Sequence, residues 1–409
     1  MSNTPSRSAY LSGRTRAALA MTWTLLAALL AAGCSSNASS NSASVNNVQA
    51  IAVNAGPAQN YVDGAFTSVK ICAPGSTSNC QTINGVLVDS GSSGLRLLAS
   101  AVSLSLPIQA VNSNQIGECL PFVSFYTWGP IETADIYLAG EEAPSAAVQI
   151  IGDSTFASAP SACTSGGTTG ISTLSDLGAN GILGVSVFQH DCGAGCTLSG
   201  GSNPNIYFSC SGSTCTATSE PLDSQVQNPV GLFAQDNNGV ILQLPTVSAN
   251  GAATVSGNMI FGIGTQSNNT LGSATIFPTN SQGDFTVQYN GQSYASSYID
   301  SGSNGIFFLD SSTAGIPTCP SPNASFYCPA NTQNLTATNV GNDGTSGAVN
   351  FSIANANDLF NTGNTAFDNL GGVNSGSFDW GLAFFFGRKV YTAINGRPAG
   401  KATGPYWAY

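Results

Sequence analysis

Beyond about residue 50 the chain sets apolar runs of strand length between clusters of turn-forming residues: 85–88, 122–126, 135–138, 147–151, 240–244, 259–263 and 285–289. Runs this short, bounded by Gly, Asn and Ser, predict β-strands. Asn238-Gly239 and Asn290-Gly291 fall between such runs and predict tight hairpin turns. Helical periodicity is scarce; helices are expected to be few and short, with 353–360 as one candidate. The N-terminal pattern differs. Arg7, Arg14 and Arg16 precede an apolar run over 17–32 that only Thr22 and Thr24 interrupt, so 1–34 reads as an export signal. The Ser-, Asn- and Ala-rich stretch after it lacks large apolar groups, and 35–55 is predicted to be a flexible tether.

One internal repeat stands out. Leu87-Val88-Asp89-Ser90-Gly91-Ser92-Ser93-Gly94-Leu95 recurs as Tyr298-Ile299-Asp300-Ser301-Gly302-Ser303-Asn304-Gly305-Ile306. Each copy ends an apolar strand and opens into a turn, so the chain reads as two related β-lobes, 56–228 and 229–409, each supplying one carboxylate. If the turns meet across a pseudo-two-fold axis, two like charges are forced together and cannot both ionise cheaply. One proton is then shared: the ionised Asp acts as general base on a water, and the protonated one donates to a substrate carbonyl. Ser90 and Ser301 are placed to bond across to the opposite turn. Gly91 and Gly302 permit close backbone approach, and Ser92 and Ser303 can orient the outer carboxylate oxygens. A lone Asp-Ser-Gly is a common turn sequence; the matched flanks of the two copies argue for the dyad.

Composition narrows the reading. With 47 Gly, 19 Pro and only 7% charged residues, the chain suits many short strands joined by turns. After residue 34 it carries 6 basic against 20 acidic residues, too few cations to neutralise a run of phosphates, which excludes nucleic acid as a partner. Of eleven cysteines, Cys34 closes the leader and ten remain, the even number of an oxidised framework. Spacing pairs Cys72 with Cys80, Cys192 with Cys196, Cys210 with Cys215 and Cys319 with Cys328, leaving Cys119 with Cys163. His190 is the single histidine, which argues against both a zinc site and a Ser-His-Asp triad. No metal or cofactor is expected.

These motifs resemble those of the pepsin-like aspartic proteases, and the resemblance extends from about Tyr61 to the end. Asn180-Gly181-Ile182-Leu183-Gly184-Val185 is similar to the apolar-apolar-Gly segment that the family places behind its first catalytic loop. The stretch 380–392 resembles the family's Trp-Ile-Leu-Gly-Asp strand, with Ala383 and Phe384 where Gly-Asp stands, and 257–264 resembles the strand that opens the second lobe. The resemblance implies a bilobal all-β fold with few short helices and an endopeptidase with Asp89 and Asp300 catalytic. It also implies a flap hairpin, expected over 122–138 with its tip near Trp128-Gly129-Pro130 and Tyr126 or Trp128 as its aromatic. The alternative is a non-catalytic shell that binds peptide or another envelope component.

Leu-Ala-Ala-Gly-Cys at 30–34 resembles the lipobox of bacterial lipoproteins, and the chain as a whole resembles a proteobacterial lipoprotein branch with pepsin-like motifs. That implies acylation of Cys34, anchorage to the lipid bilayer of the cell envelope, a monomeric body and, with Ser35 after the Cys, the outer membrane. On this reading Cys34→Ala leaves a precursor that takes up no clickable fatty acid in a bacterial host. Labelling equal to wild type would remove the anchor.

Overall fold

The computed structural model describes residues 46–164 and 168–409; the leader and Cys34 lie outside them. Residues 48–53, inside the expected tether, form a strand instead. β1 (Val48–Val53) pairs along its whole length with 255–260, and Ile51 and Val53 turn into the core. Backbone pairing holds a segment with few large side chains. β2 (Ala65–Cys72) and β3 (Cys80–Asp89) follow as an antiparallel pair, closed at Cys72–Cys80 by a disulfide.

After the Asp89 turn comes β4 (Ser93–Leu98), then a long hairpin of β5 (Asn114–Pro121) and β6 (Phe125–Leu138), then β7 (Glu141–Ile151). β8 (Gly181–Val185) inserts between the two strands that flank the turn, parallel to β3 and antiparallel to β4. β9 (Gly239–Gln243) and β10 (Val255–Phe261) complete a central layer with β1.

The second half repeats the arrangement. β11 (Phe285–Tyr289) and β12 (Gln292–Ile299) are joined by Asn290-Gly291, whose φ values of 49° and 77° are those a two-residue hairpin turn demands. β13 (Ile306–Leu309) follows the Asp300 turn, and β14 (Asn374–Trp380) inserts parallel to β12 and antiparallel to β13. β15 (Lys389–Ala393) returns to β9. One sheet of 17 strands holds the first half and the central layer, and a 7-stranded sheet holds the second half. The predicted helix is Ala356–Phe360, capped by the Asn355 side chain.

Asn238-Gly239 is not a hairpin turn. Asn238 is buried, bonding both the amide and the carbonyl of Ile263 and the carbonyl of Pro398, while Gly239 opens β9. The dipeptide signal was overridden by the tertiary role of the Asn amide. All five expected disulfides are present: Cys72–Cys80, Cys119–Cys163, Cys192–Cys196, Cys210–Cys215 and Cys319–Cys328.

One core cluster runs through both halves beneath the two turns, with Val88 and Leu183 on one side and Ile299, Ile306 and Trp380 on the other. The base of the β5–β6 hairpin is fixed by charge. Arg96 on β4, fully buried, donates to Glu118 Oε1 on β5 at 2.7 Å, to Asp191 Oδ2 at 3.0 Å and to the Ser93 carbonyl at 2.6 Å. Burial and the adjacent Glu118 push Asp191 well above the usual carboxylate range, against the opposing pull of the guanidinium. Tyr207 completes the cluster by donating to Asp191. Arg96→Met strands a buried carboxylate and should destabilise the protein by about 3–5 kcal/mol in urea denaturation. A loss below about 1 kcal/mol would mean that the cluster contributes little.

Candidate active site

The two Asp-Ser-Gly turns meet at the junction of the halves. The Ser301 hydroxyl accepts from the Ser90 amide at 3.0 Å and donates to the Val88 carbonyl at 2.8 Å. Reciprocally, the Ser90 hydroxyl accepts from the Ser301 amide at 2.9 Å and donates to the Ile299 carbonyl at 3.5 Å. Both serines are fully buried. The four bonds lock the loops back to back in a water-poor setting where each is strengthened.

That lock sets the carboxylates side by side. Asp89 and Asp300 crowd one point: a Cβ on Gly302 would lie 2.6 Å from Asp89 Oδ1 and 3.1 Å from Asp300 Oδ1, a closeness at which two carboxylates cannot both ionise cheaply. Within its own turn each Asp accepts from the amide two residues on, Gly91 at 2.8 Å and Gly302 at 2.7 Å. Ser92 and Ser303 donate to the outer oxygens, Asp89 Oδ2 and Asp300 Oδ2. A Cβ at Gly91 would lie 2.7 Å from Asp300 Cγ, and one at Gly302 would lie 2.6 Å from Asp89 Oδ1. Only glycine lets each turn press on the other's carboxylate. Burial, then the Asp89 charge, push Asp300 well above the usual carboxylate range.

Behind each turn a glycine on the inserted strand allows close packing. Gly184 follows Leu183 in register with Asp89. In the second half β14 aligns Asp379 with Tyr298 and Trp380 with Ile299, so Gly381 falls level with Asp300. A Cβ on Gly381 would strike the Gly305 carbonyl at 2.0 Å, as one on Gly184 would strike the Ser92 carbonyl at 2.7 Å. The supporting segment is therefore Asp379-Trp380-Gly381. The expected placement at Ala383-Phe384 is two residues too late; those residues form a buried 3₁₀ turn beyond it. The correct register brings in Asp379, which sequence reasoning missed.

A cleft of about 910 Å³ opens over the dyad, with Asp89, Asp300, Asp379, Tyr61 and Tyr298 in its wall. Burial and the two dyad charges raise Tyr61, and burial and Asp379 raise Tyr298, so both phenols stay protonated donors. The β5–β6 hairpin overhangs the cleft, but its tip is 122–124, where the Phe125 carbonyl accepts from the Phe122 amide at 2.7 Å. Phe122 and Phe125 stack at 4.6 Å, and Val123 is 93% exposed. Trp128 is no part of the tip. It is buried against Phe156 and Phe208, its indole N–H bonded to the Phe156 carbonyl at 2.8 Å. Gly129 follows in the strand, where a Cβ would meet the Ile150 carbonyl at 1.8 Å, so its glycine serves sheet packing and no turn. Tyr126 lies outside the cleft wall, its ring over Gly170.

The fold has a counterpart among solved structures. The chain has the bilobal all-β fold of the pepsin-like aspartic proteinases: the crystal structure of the aspartic proteinase from Irpex lacteus matches over 88% of this chain and 96% of its own, with a TM-score of 0.50 and 16% sequence identity. At that identity the likeness speaks for the fold. The chain belongs to the family described as "Protein of unknown function (DUF3443)", whose model matches residues 43–409. No curated protein matches it.

The raised groups carry a stability consequence. A carboxyl whose folded pKa exceeds its unfolded value adds stability that is fully present below about pH 4 and is lost as pH rises toward the folded pKa. Asp300→Asn should therefore raise stability by on the order of 2 kcal/mol at pH 7 and leave it nearly unchanged at pH 4, read by thermal or urea melts. A destabilised mutant at pH 7 would show that Asp300 is not held protonated by its surroundings.

Proposed function

We propose that this protein is an aspartic-type endopeptidase of the cell envelope, working as a monomer anchored through lipidated Cys34, with neither metal nor cofactor. The observation that carries the reading is the reciprocal Ser90–Ser301 bonding that sets Asp89 and Asp300 side by side, each pressed by the glycine of the opposite turn. A structural turn has no use for two adjacent, repelling carboxylates. A water between them meets an ionised oxygen that can take its proton, while the proton held by the pair is available to the carbonyl of an extended peptide. The titration belongs to the pair, not to one residue. The wide cleft takes an extended chain, and the acidic character of the protein favours neutral or basic segments.

The second reading is a peptide-binding shell without turnover, favoured by a hairpin tip that carries Phe122 and Phe125 and no phenolic hydroxyl over the dyad. Mutant kinetics separate the two. Asp89→Asn and Asp300→Asn should each abolish cleavage of an unstructured protein between acidic and neutral pH, with a double mutant little worse than either. Substantial residual cleavage in a single mutant would remove the dyad as the catalytic centre. Wild type that binds peptide but cleaves nothing at any pH would leave the binding shell.

A further inference from the structure

The two sides of the cleft are not alike. Two residues before Asp89, Leu87 lies level with Ile182 of β8; two residues before Asp300, Tyr298 lies level with Asp379 of β14. The four residues hold equivalent places in the two halves, and all four line the cleft. In the first half the pair is apolar and belongs to one cluster with Leu177, against which Phe122 and Phe125 of the hairpin tip pack. In the second half a carboxyl takes the place of Ile182. Phe307 on β13 stands directly opposite Asp379 and also lines the cleft, so the carboxyl is flanked by an aromatic residue on each neighbouring strand.

Nothing in the fold offsets the burial of that carboxyl. Asp379 is 5% exposed, its Oδ1 has no hydrogen-bond partner, and the Ser303 hydroxyl is given to Asp300 Oδ2 at 2.9 Å. No Lys, Arg or His is among the described residues that line the cleft. The other acid of the wall outside the dyad, Asp176, is exposed and already accepts from the Thr173 hydroxyl at 2.6 Å. An unpartnered buried carboxyl costs stability, and Ile182 shows that an apolar side chain fits the equivalent place, so Asp379 answers to a group that enters the cleft. We propose that the cleft carries two unlike subsites beside the dyad, an apolar one at Leu87 and Ile182 and a cation-accepting one at Asp379, Tyr298 and Phe307, which select peptides with an apolar side chain on one side of the scissile bond and Lys or Arg on the other. The stem of the Lys or Arg lies along the two aromatic residues, and its charged end meets Asp379. The titratable groups that face Asp379 are Asp89 and Asp300 from the turns and Tyr298 from β12, none of them a cation. Burial, with the Asp89 charge added, pushes Asp379 up to about 8, so a cation that binds near neutral pH displaces a proton from it.

The inference rests on the peptidase reading, and a binding test keeps the two apart. Uncleavable statine-type peptides are compared in pairs that differ only in Lys against norleucine, which lacks the ammonium, with the change placed on either side of the statine. By calorimetry at about pH 7.5, the Lys peptide should bind wild type on the order of 10-fold more tightly than its norleucine partner in one of the two placements. The difference should widen from about pH 6 to about pH 8 as Asp379 ionises. Asp379→Asn should remove it, Asp379→Leu, which copies the apolar occupant of the first half, should reverse it, and Asp176→Asn should leave it as in wild type. Equal binding of both peptides to wild type, binding of neither, a difference that narrows as pH rises, or a Lys preference that survives in Asp379→Asn would overturn the inference. Cleavage is scored separately. A Lys preference that Asp379→Asn removes, in a protein that cleaves no unstructured substrate, keeps the cation subsite and removes the peptidase; cleavage without any such preference keeps the peptidase and removes the subsite.

Discussion

Two serine hydroxyls, each buried and each bonded to the backbone of the opposite loop, are the constraint on which the site depends. They join segments 211 residues apart. They hold Asp89 and Asp300 together against their mutual repulsion, which the water-poor junction strengthens. The glycines answer the same demand from the steric side. Gly91 and Gly302 stand against the carboxylates, and Gly184 and Gly381 stand against the turn backbones, so both faces of each loop are gripped.

The core explains why this grip stays aligned. Inserting β8 between β3 and β4, and β14 between β12 and β13, anchors each Asp-Ser-Gly turn to strands whose side chains share one apolar cluster. Displacing one turn would therefore disturb packing in both halves. The same architecture shapes the electrostatics. The first half offers Ile182 beside its turn and the second offers Asp379, so two nearly symmetric loops receive unlike surroundings. Carboxyls in unlike environments are what acid and base roles require.

Much of this was legible in the sequence. The matched Asp-Ser-Gly-Ser copies located both carboxylates and their serine and glycine supports, because each residue type answers a local geometric need. Cysteine spacing was sufficient for pairing because four of the five bridges close short loops. What failed were features decided by register. Trp128-Gly129-Pro130 looks like a turn, yet lies inside a 14-residue strand because its neighbours Ile150 and Phe156 require it there. Residues 48–53 look like linker, yet backbone pairing to β10 holds them. Asp379 was hidden by a two-residue shift: counting the glycine of the supporting segment as Gly381 would have exposed it.

The central claim is that Asp89 and Asp300 share one proton in a cleft built for a tetrahedral hydrated peptide. Titration calorimetry with a statine-type peptide, whose hydroxyl mimics that species, tests it most directly. The account predicts one site per chain, inhibition of cleavage by the same peptide, and an affinity that falls as rising pH strips the shared proton from the pair. Binding of equal strength at every pH, or cleavage that the peptide leaves untouched, would contradict it.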